Sequence, residues 1–272
     1  MSCWVLPCGV AALLLCGCRA PKKRAKPQTG AIRMLSQGTV PRVRLRYRYR
    51  PGETLRYRLS TRRVISGLPA AAPVVVRLSV LTAKVQGRLA RLRWQVEGVG
   101  DRVEGVGRTL RGVSLWLETS DRGEISRVSQ GRAEQRSGAQ LKHSVQQLYL
   151  AWPEAKVGVG ARWEQRRRVI LVPRARGGFK AQVLARYSFD RLADCGRSRC
   201  AYLTVRTELR LDHRAGAVQV GGRGQGSGRV VFDLGTGRLL ESRTTAEMSL
   251  FTSLHGGVAQ RLQLDQSLQL TR

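Results

Sequence analysis

The chain is 272 residues long, enough to bury a sizeable core in one large domain or two small ones. It holds 49 Lys and Arg against 18 Asp and Glu, a net charge of +31 carried mostly by Arg, and such an excess concerns solubility and anionic partners rather than fold. Aromatic residues make up 6%, too sparse for the stacking platform that single-stranded nucleic acid requires, so no nucleic-acid partner is expected.

Met1 to Gly17 contains no Asp, Glu, Lys or Arg, and within it Gly9 to Leu15 is a short apolar run. A bilayer span needs about 20 such residues, whereas a signal-peptide core needs fewer. Leu15-Cys16-Gly17-Cys18 follows, and then the composition turns abruptly basic at Arg19-Ala20-Pro21-Lys22-Lys23-Arg24. This stretch resembles the lipobox of bacterial lipoproteins: Leu at −3, small residues at −2 and −1, and an obligatory Cys. The resemblance implies cleavage before Cys18, a diacylglycerol on its thiol, and acylation of the new amine. Cys16 fits less well, because Leu15 would then stand where a small side chain belongs. The segment before the apolar run, Met1-Ser2-Cys3-Trp4, departs from the family in lacking Lys or Arg. A non-acidic residue after the Cys, here Arg19, accompanies outer-membrane sorting in enteric-type members of the class. The expected organisation is thus a signal peptide over 1–17, then a lipidated Cys18 with a disordered basic tether over 18–42. Each basic residue of the tether near an anionic leaflet adds about 1 kcal/mol of attraction; a plain solvated spacer is the other reading.

From Val43 the pattern changes to period two. In Val43-Arg44-Leu45-Arg46-Tyr47-Arg48-Tyr49-Arg50 every second residue is Arg, which predicts a strand with one wet face. Pro51-Gly52 reads as its turn, and Leu55-Arg56-Tyr57-Arg58-Leu59 as the returning strand of a hairpin. Further strands are predicted over 74–85, 91–96, 110–117, 124–128, 163–172, 179–189, 201–211 and 229–233. At the C-terminus Val258, Leu262, Leu264, Leu268 and Leu270 share one parity against a polar set of the other. Leu141, Val145, Leu148 and Tyr149 fall instead at helical spacing ahead of Trp152-Pro153, so 132–153 is expected to be a helix linking β halves over 43–131 and 154–272. Gly52 to Tyr57 is echoed at Gly158 to Trp163, and Leu115-Trp116-Leu117 with Gly123 at Val230-Val231-Phe232 with Gly237. Halves of about a hundred residues would suit a duplicated sheet unit; Gly-rich β chains also produce such echoes by chance.

Cys195 and Cys200 flank a four-residue loop between two predicted strands, most simply a disulfide in an oxidising compartment. Zinc would need about four ligands, and only His213 lies near. His143, His213 and His255 show no ligand spacing, so no metal or other cofactor is expected. Gly221 to Gly228 lacks the Gly-Lys-Ser/Thr ending of a phosphate loop and leads into a strand rather than a helix; a flexible hairpin or bulged strand is expected. Glu97, Asp101 and Glu104 lie among glycines and Arg102, which reads as solvated loop charge rather than a glycosidase pair. Arg44, Arg46, Arg48 and Arg50, followed by Arg56 and Arg58, would form a basic ladder on an outer sheet face, fit for phosphate or carboxylate groups of anionic lipid or polysaccharide. An Arg-biased genome filling ordinary wet positions is the simpler reading of them.

The fold expected is mainly β: antiparallel sheets forming a sandwich or partly open barrel, with one linking helix. Tyr47 and Tyr49, Pro51-Gly52-Glu53, Tyr57 and the turn-Gly hairpins resemble those of uncharacterised β-rich bacterial lipoproteins of unknown function, a resemblance that brings no activity. A curved sheet with a helix also resembles the half-barrels that shelter acyl chains in lipoprotein carriers. With no catalytic constellation in view, the expectation is a non-enzymatic, lipid-anchored envelope protein that binds or scaffolds another envelope component. The alternative is a carrier or receptor for an apolar or acyl ligand in a concave sheet.

Overall fold

A computed structural model describes residues 31–67, 72–100, 111–130, 145, 148–170, 180–215, 218–252 and 259–271. Cys18 and the lipobox lie outside these residues, as do Asp101, Glu104, His143, His255 and most of the expected helix. Twelve antiparallel strands form one sheet: β1 (Ile32–Ser36), β2 (Thr54–Ile65), β3 (Val74–Gln86), β4 (Leu89–Val99), β5 (Ser114–Ser120), β6 (Ile125–Gln130), β7 (Arg162–Ile170), β8 (Lys180–Asp194), β9 (Arg199–Ala215), β10 (Val218–Asp233), β11 (Arg238–Thr252) and β12 (Ala259–Thr271). Their order is β1-β7-β8-β9-β10-β11-β12-β2-β3-β4-β5-β6. Two consecutive meanders, β2 to β6 and β7 to β12, are therefore joined where the last strand pairs with the first of the earlier meander. β1 and β6 end the sheet without pairing to each other, so it does not close into a barrel.

Strand alternation decides which side is buried. Tyr57 and Leu59 on β2, Val76, Leu78 and Val80 on β3, Leu92, Trp94 and Val96 on β4, and Leu115 and Leu117 on β5 all face one side and are buried. Phe189, Leu203, Val230 and Phe232 of the later meander face the same core. Full burial of one such side chain contributes roughly 1.5–3 kcal/mol, and the core runs through both halves without interruption.

One strand lets its neighbour bend in over the buried face. Gly222, Gly224, Gly226 and Gly228 occupy successive positions of one parity on β10, in unbroken register with β9 and β11. A Cβ at Gly222, Gly224 or Gly226 would meet a β11 carbonyl oxygen at 2.7–2.9 Å, and at Gly228 closer still. Carbonyls that near mean β11 is bent toward this face, so the glycines are the crease of the sheet. The bulge of this strand comes later, between Val231 and Phe232. The Gly run is neither a flexible hairpin nor a bulged segment, and the strand begins at Val218 rather than Arg229.

Three further readings of the sequence need correction. Residues 43–50 do not form a sheet strand paired in a hairpin with β2. The segment is extended with one wet side, as its alternation demands, but its amides bond piecemeal: Val43 to Val157, Tyr47 to Asp121 and Arg48 to Gly237. It straps the end of the sheet carrying the tight turns β5–β6 and β10–β11, hereafter the near end. Gly123 and Gly237, both at positive φ, let it pass, since a Cβ there would strike Leu150 and Tyr47, or Arg46 and Arg48. Secondly, residues 32–36 of the expected tether are strand β1, bonded to β7. Thirdly, of the expected helix, residues 145 and 148 are helical while 149–153 is irregular chain. That chain forms a second strap, with Trp152 donating its amide to Arg122.

Candidate binding surfaces

Near-end packing fills the concavity there. Tyr47 lies against Tyr149, Trp152 and Phe232 with ring centroids 5.4–5.9 Å apart, and Trp94 against Tyr57 and Tyr149. Burial raises the phenol pKa of Tyr47, Tyr57 and Tyr149 above the ordinary value. What space remains, between Tyr47, Tyr57, Trp94, Tyr149 and Leu268, is about 40 Å³, room for a water and not for a ligand.

Turn β10–β11 shows how this end is held. Asp233 accepts hydrogen bonds from Ser198 Oγ at 2.6 Å, the Gly235 and Thr236 amides, and Thr236 Oγ1 at 2.6 Å. Burial alone would raise its pKa, but these four donors hold it below the usual value. Asp233→Ala is therefore expected to cost about 1–3 kcal/mol at neutral pH, measured by urea unfolding. A carboxylate depressed on folding stabilises above its unfolded pKa, so the difference should shrink as pH falls below about 4. The adjoining β8–β9 hairpin is closed by a Cys195–Cys200 disulfide, Cα atoms 5.7 Å apart.

Toward the other, far end the concave face is less filled, and register defines its rows. One runs Gln165, Ala185, Thr207, Gly226, Ala246, Leu264, Arg63 across β7, β8, β9, β10, β11, β12 and β2; the next runs Arg167, Val183, Leu209, Gly224, Met248, Leu262, Ile65. Leu209, Met248, Leu262, Leu264 and Ile65 are half-buried, while their counterparts in the near-end rows, Leu203, Val230 and Leu268, are buried. At the β7 border three consecutive inward residues carry a buried polar atom with no hydrogen-bond partner: Trp163 Nε1, Gln165 Oε1 and Arg167 Nε. Trp163 is stacked on Tyr187 at 5.4 Å, and Gln165 is 1% exposed. Sequence reasoning passed over this row because Glu164-Gln165-Arg166-Arg167-Arg168 is polar on both parities; counting in twos from Trp163 would have placed it.

The outer face is polar. A groove of about 590 Å³ crosses it over β2, β12, β11, β10 and β9, lined by Arg62, Thr204, Arg229, Arg243 and Asp265 among others. Arg243 is paired with Glu241, whereas Arg62 and Arg229 have no ion pair among the described residues. Of the six arginines expected to form a ladder, Arg56 and Arg58 are on β2 and exposed, with Arg56 3.5 Å from Glu97. Arg44 and Arg50 are exposed on the strap. Arg46 and Arg48 are occupied: Arg46 donates to the Leu45, Pro153 and Glu154 carbonyls, and Arg48 to Gly235. The structure therefore does not bring the six together on one sheet face. Among the described residues no three His, Cys, Asp or Glu gather as metal ligands.

No family model and no curated protein matches the chain. Among solved structures, the hypothetical lipoprotein YmcC from Escherichia coli (K12) is similar over 76% of this chain and 85% of its own, at 13% identity and a TM-score of 0.27. A likeness of that size carries neither family nor function to this chain.

Proposed function

We propose that this chain is an exported envelope lipoprotein, anchored through Cys18, that works by binding rather than catalysis and holds an apolar or acyl ligand on its concave sheet face. The observation that carries the ligand reading is the contrast along that face. Its near end is packed down to a residual space of about 40 Å³, while Leu209, Met248, Leu262, Leu264 and Ile65 of the far half stay half-exposed. Apolar side chains left partly wet in a concavity are what a binding surface for an apolar ligand requires. The anchor rests on the lipobox resemblance, and two or three acyl chains would hold the protein on a membrane nearly permanently.

Labelled palmitate should enter the full chain and not its Cys18→Ser variant, and Met1 should be missing from the mature protein. Mass spectrometry of solvent extracts from protein purified from membranes should find lipid bound beyond the anchor. Equal lipid on a control lipoprotein would overturn the ligand reading. Turnover in a broad hydrolase screen, abolished by a single substitution, would overturn the non-catalytic one.

A second reading concerns the outer face, where the groove with Arg62 and Arg229, unpaired among the described residues, suits phosphate or carboxylate groups of an anionic leaflet or polysaccharide. Sedimentation with anionic vesicles should then weaken as salt shortens the Debye length, and weaken further in Arg62→Gln with Arg229→Gln. Binding insensitive to both would end it.

A further inference from the structure

We propose that Trp163, Gln165 and Arg167 on β7 form the head-group site of the concave face, and that the ligand is a long-chain carboxylate whose chain lies across β8 to β12. The inference rests on the acyl reading above and names the chemistry at one end of it. Three successive inward positions each leave a buried polar atom unpartnered, and a buried donor or acceptor without a partner calls for a specific explanation. Two of the three atoms, the indole Nε1 of Trp163 and the guanidinium Nε of Arg167, can only donate, and the Gln165 amide turned about its last bond donates as well. A row of donors that includes a guanidinium selects an acceptor bearing negative charge, and a carboxylate matches the planar Arg fork.

The neighbourhood fits the rest of such a molecule. Gln165 is in register with Ala185 and Arg167 with Val183, and beyond them the rows continue through Thr207 and Leu209 to Ala246, Met248, Leu262 and Leu264. On these rows the side chains over β8 to β12 are small or apolar and carry no ionised group. A chain leaving the β7 border therefore crosses five strands of apolar or small residues before reaching Arg63. On its other side β7 is covered by β1, where Ile32 pairs with Gln165 and Met34 with Trp163. Among the described residues β1 therefore backs Trp163 and Gln165, while Arg167 lies on β7 beyond the end of that pairing.

The test compares a fluorescent long-chain fatty acid with its methyl ester on the full chain, as wild type, Arg167→Met and Gln165→Leu. Wild type is expected to bind the acid more tightly than the ester. Arg167→Met should weaken the acid by about 10- to 100-fold, the range for a hydrogen bond to a charged group, and leave the ester unchanged. Gln165→Leu should weaken the acid while raising the melting temperature, because it removes an unpartnered buried amide oxygen. Equal binding of acid and ester by wild type, or equal loss of both in Arg167→Met, would overturn the head-group site and leave the acyl reading standing. Binding of neither by wild type would overturn both. If Gln165→Leu melts lower, Arg167→Met still decides the matter, provided its near-end tyrosines remain protected from alkaline ionisation as in wild type.

Discussion

Trp152→Ala is expected to lower unfolding free energy by about 3–5 kcal/mol, the range for truncating a buried aromatic. That is a large share of the roughly 5–15 kcal/mol that holds a domain together. Trp152 is fully buried, lies 4.9 Å from the Phe232 ring and 5.9 Å from Tyr47, and stands where the second strap crosses the near end. Its loss would open a void between the two straps and the β10–β11 hairpin, the place where both meanders share one core. Its indole Nε1 has no hydrogen-bond partner, so Trp152→Phe gives up area but no bond and should recover most of the loss. Trp116 is the control: half-buried on the outer face beneath Arg91, 4.6 Å from ring to guanidinium carbon, it should cost less than about 1 kcal/mol on replacement by Ala. Urea unfolding of the three variants at one temperature makes the comparison. Similar losses in Trp152→Ala and Trp116→Ala would mean the near end is not the centre of the core.

The sequence made half of this architecture legible, and the failures have physical causes. Where a strand has one wet and one buried face, as β3 and β4 do, alternation reports it directly. The same alternation in residues 43–50 reports only an extended chain with one wet side, which a strap satisfies as well as a ladder; which carbonyls its amides reach depends on distant turns. β10 escaped because the crease removes the side chains that alternation counts. Yet Gly222, Gly224, Gly226 and Gly228 keep the period of two, and glycine at every second position is itself a strand pattern. β11 carries Arg243, Thr245, Glu247 and Ser249 outward against Thr244, Ala246 and Met248 inward, a contrast blunted by threonines on both sides. β1 is five residues in a Pro- and Gly-punctuated stretch, too short to show a period. The candidate head-group site was hidden for the opposite reason, since a polar residue on the inner face looks the same in sequence as one on the outer.

Arg46 separates a surface role from a structural one. Its guanidinium donates to the Leu45 and Pro153 carbonyls, both at 2.7 Å, and to the Glu154 carbonyl at 2.8 Å, and it lies 3.8 Å from the Asp121 carboxylate. Burial lowers its pKa and the Asp121 charge works against that, the environment of a group spent within the fold. Arg46→Met keeps the length of the stem but leaves three strap carbonyls to find other donors, so a loss of about 2–4 kcal/mol is expected. Arg44→Met, two residues away and exposed, should change stability by no more than about 0.5 kcal/mol. Were Arg46 instead a contact for an anionic leaflet, its replacement would weaken vesicle binding and spare the fold. The expected pattern is the reverse, with urea midpoints moving for Arg46→Met and not for Arg44→Met, while vesicle binding per folded molecule stays the same in Arg46→Met. A stable Arg46→Met that has lost its affinity for anionic vesicles would return the strap arginines to the surface role that their spacing first suggested.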